Sequence, residues 1–291
     1  MIAIRNAASE PTVLVRSCEI CGSSSNHLLG TFAHWPLVQC HQCSFVYLQQ
    51  VPTYEALASD YPWEVTFAAE KLRREKSRLG WLDAATRWRT YPGHVLDRYR
   101  RRNAIGLCGN VLDVGCGGTC RVPEGPKPFG IEISAGLAAQ ARSAFAARGG
   151  RVVHASAVEG MDSFEDHFFS AILMRSYLEH EAQPRVVLQK AFHKLAAGGK
   201  IYIRVPNYGS INRRICGQRW CGFRFPDHVN YFTQSSLRRL AENTGFTYKR
   251  INWLSPFDDN IIAVLSRPDT PRAPHLSQDL NANADRASPP C

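Results

Sequence analysis

The sequence predicts an α/β protein: a doubly wound, seven-stranded sheet preceded by a small N-terminal zinc ribbon. Three observations carry this. Two CxxC pairs stand near the start, a glycine loop follows a short apolar strand, and from Asn110 onward strand-like runs alternate with helical periods. A chain of 291 residues is long enough for one substantial domain and an accessory module.

The composition is that of a globular protein, 44% hydrophobic and 21% charged. No apolar run approaches the roughly 18 residues that span a bilayer. The opening "MIAIRNAASEPTVLVRS" lacks the continuous apolar segment of a secretory signal, so a cytoplasmic protein without a membrane partner is expected. Ten cysteines in such a chain argue for reduced or metal-bound thiols rather than a disulfide framework. A net charge of +10 favours acidic partners: phosphates, nucleotides or RNA.

In chain order, residues 1–17 show no periodicity and are expected to be loose. The ribbon is expected over 11–52. Its pairs, Cys18/Cys21 and Cys40/Cys43, are separated by 18 residues, which suits two knuckles closing one tetrahedral zinc site. Four protein ligands leave no open position, so this zinc is expected to be structural. Residues 53–107 read as a helical connecting segment, with Leu72, Leu79, Leu82 and Ala85 at helical intervals.

The main domain is expected over 108–267. "VLDVG" and "FGIEI" read as its first two strands, followed by a helix from a Ser134 cap to Gly149–Gly150. "RVVHA" and "SAILMR" are the next two strands. A helix then opens near Pro184, turns Val187, Leu188, Ala191, Phe192 and Leu195 to one side, and stops at Gly198–Gly199. "KIYIRV" is the fifth strand. An aromatic and basic loop over 206–232 leads to a helix from Thr233 to Gly245, and strands near 246–253 and 260–266 complete the set. Residues 268–291 are rich in Pro, Asp, Asn and Ser and are expected to form a disordered tail.

The glycine loop carries the first functional reading. Gly115 and Gly117 let the backbone turn sharply and approach a ligand with no Cβ in the way. Asp113 at the strand's end can order the loop or accept from a ligand amine. Glu132, ending the next strand, is placed to take both hydroxyls of a ribose.

Together "VLDVGCGG", "GIEIS", "ILMRSYLEHEAQP" and "LAAGGKIYIRVPN" resemble the class I S-adenosylmethionine-dependent methyltransferases over roughly 108–266. The resemblance implies a Rossmann-like sheet with its last strand antiparallel and S-adenosylmethionine as cofactor. It also implies that Asp113, Gly115, Gly117 and Glu132 hold that cofactor. Ser156 stands where that family often has an adenine-contacting acid, with Glu159 as a substitute nearby. Thr119 replaces the family's last loop glycine, and Pro123, Pro126 and Pro128 predict a short or absent helix after the loop. The paired CxxC module and "FPDHVNYFTQSSLRRLAENTGF" look like a bacterial group of zinc-ribbon methyltransferases, some of which act on sugars of nucleotide-linked intermediates.

Ligands of doubly wound sheets sit at the strands' carboxyl ends. "RSYLEHE" places Tyr177, Glu179 and His180 there, and "RFPDHVNYF" adds Asp227, His228 and Tyr231. Tyr177, His180 and His228 are the candidate catalytic residues, His180 as a base for the acceptor's proton. The acid-free stretch "NYGSINRRICGQRWCGFRF" offers Arg213, Arg214, Arg219 and Arg224 for phosphate and Trp220 for stacking. These residues fit methyl transfer to a small phosphorylated or nucleotide-linked, sugar-like molecule. RNA methylation is the alternative, although the Asn/Asp-Pro-Pro-aromatic motif that clamps a base is missing after the fourth strand. A non-catalytic binding protein with a vestigial cofactor site is the contrasting class.

Overall fold

A computed structural model of the protein describes residues 13–32, 34–52, 104–252 and 259–269. Leu72, Leu79, Leu82 and Ala85 lie outside them, as does nearly all of the expected connecting segment and tail.

The N-terminal part is built from strands β1 (Val13–Val15), β2 (Asn26–Phe32), β3 (Trp35–Cys40), β4 (Val46–Leu48) and β5 (Gln50–Pro52). Val13–Val15 is thus ordered rather than loose: it pairs antiparallel with β5, a long-range partner that local periodicity cannot reveal. β2, β3 and β4 form an antiparallel meander, which is completed by β11 (Asn230–Tyr231) from the far end of the chain.

The main sheet comprises β6 (Asn110–Val114), β7 (Lys127–Glu132), β8 (Arg151–His154), β9 (Phe169–Arg175), β10 (Leu195–Pro206), β12 (Thr247–Arg250) and β13 (Asn260–Ser266). Their order across the sheet is β12-β13-β10-β9-β6-β7-β8. β6 through β10 run parallel, and β13 lies antiparallel to both β10 and β12. The first strand is therefore central, and the chain winds outward from it in both directions. The crevice lies where β6 and β9 part company, beyond their carboxyl ends.

Helix α1 (Ala135–Ala146) is capped by the Ser134 side chain and buries Ala138, Ala141 and Phe145. α2 (Ala157–Gly160) is one turn capped by Ser156. α3 (Pro184–Lys194) begins with proline, whose missing N–H costs nothing there, and buries Val187, Leu188 and Ala191. It ends at Lys194, not at the glycine pair. Leu195 has already turned extended and pairs with Phe169, so β10 starts five residues ahead of Lys200, and its register shifts in between. α5 (Gln234–Asn243) has a reciprocal capping box between Thr233 and Ser236. The basic loop contains a short helix, α4 (Ile211–Cys216), capped by Ser210.

Between β6 and β7 there is no helix, in line with the prolines. Turns cross the gap, and Arg148 laces them by donating to the carbonyls of Val122, Pro123 and Pro126. Val122 fills the apolar space beside Ile105, Val111 and Ala171. The core is continuous with the ribbon. Ile20, Val38, Phe45 and Tyr47 belong to the same buried cluster as Leu112, Ile172, Leu188 and Leu237, with Phe45 and Phe232 in ring contact at 5.4 Å. Each such side chain contributes about 1.5–3 kcal/mol of burial, so the ribbon shares the stability of the sheet.

Candidate active site and metal centre

The two CxxC turns form alike knuckles. Gly22 N–H donates to the Cys18 carbonyl at 2.7 Å and Ser44 N–H to the Cys40 carbonyl at 3.0 Å, while Gly22 and Ser44 both take left-handed backbone. The turns bring the four Sγ atoms within 4.8 Å of one another, with Cys18–Cys43 at 3.4 Å and Cys21–Cys40 at 3.5 Å. Zinc–sulfur bonds of about 2.3 Å in a tetrahedron put sulfurs about 3.8 Å apart, so the four thiolates fit a zinc ion. Cys108, Cys116, Cys120, Cys216 and Cys221 are free thiols outside this cluster.

On the cofactor side, Gly115 and Gly117 have φ of +66° and +67°, where any side chain would be strained. A Cβ on Gly115 would come within 3.0 Å of the Tyr177 ring, so glycine is also what lets that ring close over the loop. The Glu132 carboxylate accepts the Gly117 N–H at 2.8 Å and the Ser134 N–H at 3.0 Å. It thereby ties the glycine loop to the start of α1. Two oxygens offer about four acceptor sites, which leaves capacity for a ribose. Asp113 is buried and paired with Arg175 at 2.5 Å, which ties the end of β6 to the end of β9. Burial nevertheless pushes its pKa up, against the opposing pull of Arg175. Ser156 caps α2 and donates to Glu159 at 2.9 Å, which joins the two residues expected near an adenine. Glycine cradle and strand-end acid fit S-adenosylmethionine.

The expected acceptor side starts where β9 ends. Ser176 sits in left-handed backbone, a strained conformation for a non-glycine residue and one that concentrates at functional sites. Tyr177 donates its hydroxyl to Glu181, whose other oxygen accepts the Gln183 N–H at 2.9 Å. His180 donates from Nδ1 to the Asp227 carbonyl and His228 from Nδ1 to the Gly222 carbonyl, each at 2.8 Å. A carbonyl can only accept, so in the neutral rings each lone pair sits on Nε2. The rings meet edge to face at 4.7 Å, and Glu179 brings a carboxylate oxygen within 4.8 Å of them. Burial pushes His180 down to about 4 and Glu179 up to about 8, Arg204 and Arg224 opposing the latter. At neutral pH Glu179 and His180 are therefore largely uncharged.

The arginine stretch divides in two. Arg214 and Arg219 are exposed. Arg213 lies over the Tyr208 ring at 3.9 Å and donates to its hydroxyl, and Arg224 pairs with Asp227 at 3.5 Å. Trp220 departs from expectation: it is 3% exposed, packed among Tyr208 and Phe223, with its indole N–H on Asp259 at 3.1 Å. It supports the loop instead of stacking on a ligand. Asp259 also accepts from Ser210 and Asn212, so one distant carboxylate anchors the whole acid-free stretch. A shallow depression of about 420 Å³ beside Lys127 and Arg148 lies at the strands' amino ends, away from this chemistry.

The family model described as a methyltransferase domain matches residues 64–250. The chain belongs to that methyltransferase family. No curated protein matches it. Among solved structures, it is similar to an S-adenosylmethionine-dependent methyltransferase from Archaeoglobus fulgidus, 17% identical over 60% of this chain and 94% of that one, with a TM-score of 0.46. It is also similar to one from Thermotoga maritima, 17% identical over 62% and 99% of the two chains, with a TM-score of 0.43. The methyltransferase uses S-adenosylmethionine, and no described helix is long and apolar enough to cross a membrane.

Arg16, Glu181, Asp259 and Arg148 escape sequence reasoning. Arg16, Asp259 and Arg148 act through contacts far along the chain, which no spacing rule marks, and Glu181 acts through its neighbours Tyr177 and Gln183.

Proposed function

We propose that this methyltransferase acts in the cytoplasm on a small phosphorylated or nucleotide-linked, sugar-like acceptor, with one structural zinc in the ribbon. The chain divides as ribbon 11–52, connecting segment 53–107, methyltransferase domain 108–267 and tail 268–291. The observation that carries the substrate reading is the pair of exposed arginines, Arg214 and Arg219, on a stretch rigidly anchored through Asp259 and continuous with the His228 segment. Such forks suit phosphate, and their distance in sequence from the glycine loop separates acceptor binding from cofactor binding.

Bound S-adenosylmethionine supplies an electrophilic methyl group. Gly115 and Gly117 admit its amino-acid part and Glu132 its ribose; Ser156 and Glu159 line the adenine end. Tyr177, held between Gly115 and Glu181, forms the wall between cofactor and acceptor. His180, kept neutral at neutral pH by burial, is the candidate base for the acceptor's proton. His228 stands against it and fixes the ring's direction. Alignment supplies much of the acceleration.

Incubation with methyl-labelled S-adenosylmethionine and a panel of nucleotide-linked sugars, free sugars and RNA tests this reading. Label is expected in the nucleotide-linked sugars. Label confined to RNA, or to uncharged sugars, overturns it.

A further inference from the structure

Arg16 lies two residues before the first ribbon cysteine, yet the residue is only 8% exposed. Its N–H groups go to three backbone carbonyls in three separate segments. Nε donates to Leu48 at 2.9 Å, Nη1 to Ala182 at 2.9 Å and Nη2 to Val229 at 2.5 Å. Leu48 ends β4 of the ribbon. Ala182 closes the turn that carries Tyr177, Glu179, His180 and Glu181, and Val229 directly follows His228.

Those two segments are braced to each other as well. Val229 and Asn230 donate their amides to the Glu179 carbonyl at 2.8 and 3.1 Å, and the Asn230 side chain reaches the carbonyls of Leu178 and Glu181 at 2.7 and 2.6 Å. The knuckle next to Arg16 is docked through its own backbone: Arg185 donates to the Glu19 carbonyl and Asn243 to the Ile20 carbonyl. A guanidinium fork meets three carbonyls at fixed angles, which one ammonium on a flexible stem does not.

We infer that Arg16 is a positioning residue of the active site, through which the metal-bearing ribbon sets His180 against His228. The ribbon then completes the acceptor side while leaving the cofactor loop alone. This rests on the reading that the two histidines serve the acceptor, so the test includes a measurement that needs no acceptor.

Full-length Arg16→Met and Arg16→Lys proteins are compared with wild type for zinc content, for S-adenosylhomocysteine affinity by calorimetry, and for the ring-nitrogen signals of histidine by NMR. Both variants should keep their zinc and their S-adenosylhomocysteine affinity. The signals of His180 and His228 should shift, while those of His154 and His193 stay in place. With a methyl acceptor, kcat should fall at least about tenfold at an unchanged Michaelis constant, because small misplacements of reacting groups cost up to roughly 10²-fold. Lysine should not restore it. Unmoved His180 and His228 signals overturn the positioning role, as does zinc loss in both variants or a parallel fall in S-adenosylhomocysteine affinity. Shifted signals without any acceptor methylation leave the positioning intact and place the failure in the substrate reading.

Discussion

The two sides of the crevice are assembled in different ways. On the cofactor side, Asp113, Gly115, Gly117, Glu132 and Ser134 lie within one strand-loop-strand unit, and Glu132 closes it with two hydrogen bonds to backbone N–H groups. On the proposed acceptor side, contributions come from Arg16 and Leu48 in the ribbon, from the turn after β9, from the segment before β11 and from Asp259 just ahead of β13. A locally closed site can form as soon as its own strands pair. The dispersed one requires the ribbon, the sheet and the late loop to be in place together. Substitutions should therefore separate the two sides.

The largest separation should come from the metal. Cys40→Ser should reduce zinc from about one equivalent per chain to about none, because structural zinc supplies on the order of 10–16 kcal/mol in small zinc modules. The ribbon should lose its ordered contacts, and methyl transfer should be abolished. Affinity for S-adenosylhomocysteine should stay within a few-fold, since Glu132 closes the glycine loop within its own strand-loop-strand unit. Metal analysis paired with calorimetry checks both halves, and wild-type protein that carries no zinc would break the comparison at its root.

The converse comes from Glu132→Ala. It removes the acceptor of the Gly117 and Ser134 N–H groups together with the expected ribose contact. Hydrogen bonds to a charged group are worth about 1.5–3 kcal/mol each, so affinity for S-adenosylhomocysteine should fall by at least roughly tenfold. Zinc content should not change. A variant that binds S-adenosylhomocysteine as wild type does would remove Glu132 from the cofactor side.

A third measurement sharpens the contrast through pH. Burial raises Glu179 from its ordinary 4.5 to about 8, so the fold favours the neutral acid; the stability this provides is lost as pH rises through about 8. His180 is lowered from 6.5 to about 4, and its contribution grows as pH rises between those values. Below pH 6.5 the two oppose each other. Between pH 6.5 and 8 Glu179 acts alone, and at about 1.4 kcal/mol per unit the wild type should lose roughly 2 kcal/mol relative to Glu179→Gln. Urea unfolding at the two pH values measures the difference. Identical slopes for the two proteins would place Glu179 in a wetter setting than its burial implies.

How much of this was legible in the sequence follows the same division. The Ser134 and Thr233 caps, the two knuckles, the glycine loop and the proline-blocked helix are local signals, and each stands where its residues indicate. The strand at Val13–Val15 has no alternation to announce it, because it is exposed throughout and depends on β5 for its pairing. Leu195 reads as the last turn of a helix until its pairing with Phe169 draws it into β10. Trp220 reads as a surface aromatic among arginines until Asp259, 39 residues later, takes its N–H. Nor does any local pattern show that Asn230–Tyr231 completes the ribbon sheet.

The smallest expected effect bears on the substrate. Arg213 is committed to Tyr208 and Arg224 to Asp227, so removing either would disturb the loop as well as a phosphate contact. Arg214 and Arg219 are exposed and their loss should leave the fold intact, which makes them the cleaner probes. Exposed charge pairs are worth about 0.2–1 kcal/mol, so each single change to alanine should raise the Michaelis constant for a nucleotide-linked acceptor by no more than about fivefold. The effect should shrink as salt is added, because exposed charges are screened over about 10 Å at 0.1 M ionic strength. It should vanish for an acceptor that lacks phosphate. Affinity for S-adenosylhomocysteine should be untouched, since both residues lie on the acceptor side. If instead the Michaelis constants of charged and uncharged acceptors rise together, the arginines act through the loop's position. Phosphate recognition would then have to be sought elsewhere on the acceptor side.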